Sequence, residues 1–236
     1  MRKILRKTGM PAVLAIAAMM MCPLSIQAQR HDFANFNRYA KANAELPIPA
    51  KKDTRVVFMG NSITDNWASM HPEFFKQHGY IGRGISGQTS FQFLLRFRQD
   101  VINLKPRVVV INYGTNDIAE NTGAYNEDQT FDNIAAMVDM ARANKIKVIL
   151  CSTLPASRFG WRPKIKDGMV KIRHLNDRVR EYARKNKIQY VDYFSAMVTA
   201  DGLGMRKEFQ NDEVHPNLNG YAVMENLIVP AINREL

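Results

Sequence analysis

Apolar residues recur along this chain with two spacings, and the two spacings alternate. Short apolar runs at residues 55–59, 107–112, 147–151 and 189–193 predict buried strands. Tyr80-Ile81 starts a shorter strand that ends in a glycine-rich turn. Between these runs the apolar positions take helical spacing. Residues 90–103 carry Phe91, Leu94, Leu95, Phe97, Val101 and Ile102, and residues 130–144 turn Phe131, Ile134, Met137 and Val138 inward. A long helix is predicted over 164–187 and a closing one, containing Pro230, over 219–234. Ahead of the first strand, 33–44 predicts a short amphipathic helix with Phe33, Phe36 and Tyr39 on its stripe, ended by Pro47 and Pro49.

Strands separated by helices need crossover connections, so the sheet is expected to be parallel. Right-handed crossovers then set helices on both faces. The expected fold class is α/β: a three-layer α/β/α sandwich around a parallel sheet of about five strands. In such sheets the functional side chains gather on loops past the strand carboxyl ends.

Composition refines the domain picture. The chain has 236 residues, 46% hydrophobic and 23% charged, which fits one globular domain and excludes a disordered chain. The first 28 residues depart from it. Arg2, Lys3, Arg6 and Lys7 form a basic front, Met10 to Met21 is almost wholly apolar, and Ser25-Ile-Gln-Ala28 ends the segment with a small residue. That order predicts a signal peptide over 1–28, cleaved after Ala28, and a single domain over 29–236 that is exported to the periplasm or the medium. The apolar run is too short for a comfortable membrane span, so no stable insertion is expected. Met21 is a poor residue ahead of a lipidated Cys22, since that position favours a small one.

Loss of the leader removes four basic residues and lowers the formal charge from +11 to +7. The basic residues of 164–187 alternate with apolar ones at helical spacing, which is a solvated helix face, and no nucleic-acid partner is expected. Cys151 remains as a lone cysteine inside a strand-like run and is expected to pack as a small apolar residue.

Small polar residues follow the strands. Gly60-Asn61-Ser62 follows the first, Gly82-Arg-Gly-Ile-Ser-Gly87 the second and Gly114-Thr-Asn-Asp117 the third, while Asp212-Glu-Val-His-Pro216 lies near the end. Acyl transfer needs a nucleophile, a base, a group that orients the base, and donors for the oxyanion. Ser62 offers a hydroxyl where a strand gives way to a helix, and Gly60 permits a sharp turn beside it. The plainer role for such a serine is a helix N-cap. His215 is the candidate base, and Asp212, three residues earlier, is placed to reach its Nδ1. The Asn116 amide and the N–H groups of Ser62 and Gly87 are candidate oxyanion donors.

These four blocks, together, resemble those of the SGNH hydrolases, also called GDSL esterases and lipases. The resemblance runs from about residue 55 to the C-terminus. It implies a flavodoxin-like sandwich, Ser62 as nucleophile, His215 and Asp212 completing a triad, and Ser62, Gly87 and Asn116 forming the oxyanion hole. Two departures stand out. Asn61 replaces the aspartate that gives the family one of its names, and Gly82 replaces an asparagine common before Arg-Gly, which removes an amide able to brace the oxyanion loop. The stretches 61–67, 155–163 and 190–195 are similar to exported bacterial members resembling platelet-activating-factor acetylhydrolases. That branch implies an ester substrate with a short acyl group, acetyl above all, carried on a saccharide.

No metal or cofactor is expected; His31, His71, His78 and His174 are scattered without ligand spacing. Trp161 and Arg162, on the loop after the fourth strand, are candidate substrate-binding residues, although Trp161 would equally serve to pack that loop down. Trp67 is expected in the core or the pocket wall. Three rivals differ in kind. Gly82-x-Gly-x-x-Gly87 fits a dinucleotide fingerprint, but no acidic residue ends a following strand, and Asp100 falls in a predicted helix. A non-catalytic carbohydrate-binding module would keep the fold without the chemistry. A lipase or lysophospholipase would share the site but take longer acyl chains.

Overall fold

The apolar runs become strands because they are short and rich in valine and isoleucine, which suit a pleated surface buried on both sides. The computed structural model describes residues 32–50 and 52–236; the leader expected over 1–28 lies outside them. The strands are β1 (Val56–Gly60), β2 (Tyr80–Gly84), β3 (Val108–Ile111), β4 (Lys147–Cys151) and β5 (Gln189–Val191). They form one sheet in the order β2-β1-β3-β4-β5, with every neighbouring pair parallel.

Alternate strand residues feed two separate cores, as the two-residue period of a strand requires. On one face Val57, Met59, Val109, Ile111 and Leu150 meet α4 (Ser90–Asp100), α6 (Glu127–Ala143) and α7 (Gly168–Lys185) through Phe93, Phe97, Ile134, Leu175 and Val179. On the other, Val56, Phe58, Val110, Ile149 and Cys151 meet α2 (Ser62–Met70), α3 (Pro72–His78) and α9 (Leu218–Glu235) through Ile63, Trp67, Phe74, Tyr221 and Ile228. Each such side chain, fully buried, stabilises the fold by about 1.5–3 kcal/mol. The result is the α/β/α sandwich. Three further helices complete it: α1 (Asn37–Glu45), α5 (Thr115–Ile118) and α8 (Tyr193–Met197).

Some boundaries differ from expectation. The second strand runs to Gly84, so Gly82 and Gly84 belong to the sheet and not to a turn. Helix α7 begins at Gly168, four residues late, which leaves 154–167 as an irregular loop. The last strand stops at Val191, because Asp192 caps α8 by accepting from the Ser195 N–H at 3.0 Å. Trp67 is a core residue, stacked between Phe74 and Tyr221 at 5.4 Å from each. Cys151 is free and wholly buried, and burial pushes its thiol up to about 12, so it is inert. The basic face of α7 is solvated as expected, with Arg180 paired to Asp177 and Arg184 to Glu181.

The register aligns the strand ends. Gly60 pairs with Gly84, Ile111 with Leu150 and Cys151 with Val191, so the following loops open on one edge. From β1 the chain crosses to β2 on one side, then back past β1 to β3 on the other. The strand order therefore reverses between β1 and β3, where sites in such sheets form.

Candidate active site

Ser62 is positioned by the residue before it. Asn61 is the N-cap of α2, its side chain accepting from the Ile63 N–H at 3.0 Å. Ser62 is thus the first helical residue, and its hydroxyl is not used in capping. A side chain at Gly60 would lie 2.1 Å from Thr64 Oγ1, so only glycine lets the strand turn so closely into this helix. The Ser62 Oγ lies 2.8 Å from His215 Nε2.

His215 is reached from the far end of the chain. Asp212 Oδ2 sits 2.8 Å from His215 Nδ1, while its Oδ1 accepts the backbone N–H of His215 at 2.8 Å and of Val214 at 3.2 Å. One carboxylate therefore folds the turn and orients the ring. Burial pulls the Asp212 carboxyl up, but the hydrogen bonds from His215 and the nearby imidazole outweigh it and hold the group below the ordinary carboxylate range. The turn needs a left-handed residue, Glu213 at φ +71°. Glu213 is pinned there: its carboxylate accepts from Ser157 Oγ at 3.1 Å and Arg158 Nε at 2.8 Å. The loop after β4 thus holds the histidine turn, a link with no local sequence signature.

Asn116, 2% exposed, stands in the first turn of α5. One N–H of its amide donates to the Gln88 carbonyl at 2.9 Å, leaving the second for a ligand. Gly87 follows β2 at φ +80°, a conformation that favours glycine, on the rim of the same cavity. Asp117 caps α4 from α5, accepting the Ser90 N–H at 3.0 Å and the Ser90 hydroxyl at 2.5 Å. Burial pushes its carboxyl up, and the bonds from Ser90 oppose the shift.

The loop after β2, expected to carry an oxyanion donor, is braced by another route than an asparagine at position 82. A side chain there would come within 2.9 Å of the Ala68 Cβ. Instead Arg96, fully buried on α4, donates to the carbonyls of Gly60 at 3.0 Å and Arg83 at 2.9 Å, and to Gln88 Oε1 at 2.6 Å. Asp100 balances its charge at 2.9 Å. Gln88 in turn donates to the Ala34 carbonyl at 2.7 Å. Both the loop and the strand before Ser62 hang on one guanidinium.

A cavity of about 380 Å³ opens over these groups, lined by Ser62, Asn66, Ser86, Gly87, Asn116, Asn121, Trp161 and His215. All five residues expected in a triad and oxyanion hole are therefore brought together: four line the cavity, and Asp212 stands behind His215. Trp161 also lines it, 43% exposed, its ring 6.2 Å from that of His215. Packing the loop down falls to the buried Phe159. Arg162 is not in the lining; its Nη2 donates to the Glu120 carbonyl at 3.3 Å. Asn66, Ser86 and Asn121 were not anticipated. Among the described residues no three His, Cys, Asp or Glu side chains converge as a metal site.

The same fold is found in solved acylhydrolases. The chain superimposes with a TM-score of 0.85 on a GDSL-like lipase from Bacteroides thetaiotaomicron, 60% identical, covering 86% of this chain and all of the other. Residues 58–223 match the GDSL-like Lipase/Acylhydrolase family, and the chain belongs to that family, a class of carboxylic ester hydrolases. An acetylxylan esterase from Xylanibacter ruminicola is 25% identical over 79% of this chain, which spans only 45% of that longer protein. The platelet-activating factor acetylhydrolase IB subunit alpha2 of Rattus norvegicus is 25% identical, covering 85% of this chain and 86% of that subunit.

Proposed function

We propose that this chain is an exported serine esterase that removes short acyl groups, acetyl first, from a neutral saccharide. The observation that carries the reading is the line Ser62–His215–Asp212, two contacts of 2.8 Å that end in the cavity. His215 takes the Ser62 proton as the oxygen attacks the ester carbonyl. The oxyanion turns toward the N–H groups of Ser62 and Gly87 and the Asn116 amide. The imidazolium then protonates the departing alcohol, and water, deprotonated by the same ring, releases the acid and restores Ser62. Asn116→Ala removes one oxyanion donor and is expected to cost about 3 kcal/mol, roughly a hundredfold in kcat, with KM little changed.

Two features favour a short acyl group and a sugar. The lining carries amides, hydroxyls and one aromatic ring but no aliphatic wall and, His215 apart, no ionisable side chain. Trp161 is the one large apolar side chain in that lining, so a long acyl chain would find no aliphatic side chain to pack on, whereas a neutral sugar would find hydrogen-bond partners and a flat ring. Relatives named for acetyl esters agree. Export rests on the basic, apolar, small order of residues 1–28; among the described residues no helix is long and apolar enough to cross a membrane.

Chain-length preference is the test. With p-nitrophenyl esters, kcat/KM is expected to be highest for acetate and to fall at least about tenfold by decanoate, since the longer chain stays in water. Acetate release from acetylated oligosaccharides should accompany it. Faster turnover of decanoate than of acetate would give the site to a lipase.

A further inference from the structure

Asn121 makes three hydrogen bonds at the site. Its backbone N–H donates to the Asn116 carbonyl at 3.0 Å. Its side-chain amide donates to the Gly87 carbonyl at 2.9 Å. Its side-chain oxygen accepts the Trp161 indole N–H at 2.9 Å. The residue before it, Glu120, sits at φ +58°, a strained conformation for a side chain of that size, and that turn aims Asn121 at the site. Asn121 therefore joins both oxyanion-hole residues outside the nucleophile turn to the ring that borders the cavity. An amide is needed for this: one end must donate to a carbonyl and the other accept from an indole. The indole N–H also fixes which end is which.

We infer that Asn121 is a positioning residue for the oxyanion hole and that Trp161 sets it, so the ring that would meet the alcohol side of the substrate also holds the Gly87 turn. The inference rests on the esterase reading above. It separates two jobs of Trp161. As a platform, Trp161 acts only on leaving groups large enough to cover the ring. As the partner of Asn121, it acts on every ester, because the oxyanion hole serves them all.

Vinyl acetate, whose leaving group is too small to cover an indole, distinguishes the two. Trp161→Phe keeps a ring and loses the N–H. It is expected to lower kcat on vinyl acetate about two- to tenfold, the worth of one net hydrogen bond, with KM nearly unchanged. Asn121→Ala should lower kcat by at least as much. In the Asn121→Ala background, Trp161→Phe should then have no further effect. The brace is overturned if Trp161→Phe leaves vinyl acetate turnover untouched, or if it costs the same factor with and without Asn121. Should Asn121→Ala fail to fold, Trp161→Phe alone still decides. Equal vinyl acetate rates for the parent and Ser62→Ala would instead sink the esterase reading itself.

Discussion

Ser62→Ala is expected to lower kcat on p-nitrophenyl acetate by about four to six orders of magnitude, with a melting temperature close to the parent's. The lost hydroxyl is the group 2.8 Å from His215 Nε2, and in the proposed route it forms the covalent bond to the acyl carbon. No neighbouring hydroxyl on this turn substitutes for it. The Thr64 side chain, the nearest in sequence, is 2% exposed and packs against the Gly60 backbone. The helix loses nothing, because Asn61 holds the cap and alanine is the better helix former. His215→Ala should cost a similar factor, and the double variant no more than either single one, since a triad acts as a unit. A parent rate equal to that of Ser62→Ala would leave the fold as a carbohydrate-binding module.

The same serine shows where local reading stops. Asn and Ser are nearly equal N-caps, so the motif around Ser62 allowed two assignments one residue apart. The choice is made by packing between β1 and α2, which puts Asn61 at the cap. The parallel sheet was legible because β1, β3 and β4 are nearly uninterrupted apolar runs, and the strand-end rule then placed the first three loops on one edge. Lys164 and Ile165 continue the spacing of α7 and so predict a longer helix, yet the chain there is committed to the Trp161 loop. Helices α3, α5 and α8 are absent from the sequence reading: each is under two full turns, too short for a period to emerge.

Long-range partners were not legible at all. Arg96 lies in a helix whose spacing is satisfied without it, yet it joins the carbonyls of Gly60 and Arg83. Glu213 reads as a spacer between Asp212 and His215. Only the fold reveals Ser157 and Arg158 opposite its carboxylate. Asn121 follows the third block and carries no motif of its own. In each case the signal is a hydrogen bond between segments distant in sequence, which no periodicity encodes. The absent asparagine at position 82 misled for the same reason: its substitutes, Arg96 and Gln88, come from elsewhere in the chain.

Asp212→Asn is the second large effect, about ten-thousandfold in kcat, and it arises without loss of the turn. Asparagine keeps an oxygen able to accept the His215 and Val214 N–H groups, which Asp212 Oδ1 accepts at 2.8 and 3.2 Å. Its amide NH₂ then faces His215 Nδ1, where Asp212 Oδ2 now lies at 2.8 Å. A donor there forces Nδ1 to accept, so the ring proton moves to Nε2 and points at Ser62. An imidazole in that tautomer cannot take the serine proton. The charge that would stabilise the imidazolium is also gone. Stability supplies an independent readout. The Asp212 carboxyl is held below its ordinary range, so its contribution is present above its unfolded value and is lost as pH falls through the lower folded value. Any stability margin of the parent over Asp212→Asn should therefore shrink on acidification, while the kcat deficit persists at neutral pH. An Asp212→Asn variant that retained a tenth of the parent's kcat at neutral pH would remove Asp212 from the proposed mechanism and leave it only the folding of the histidine turn.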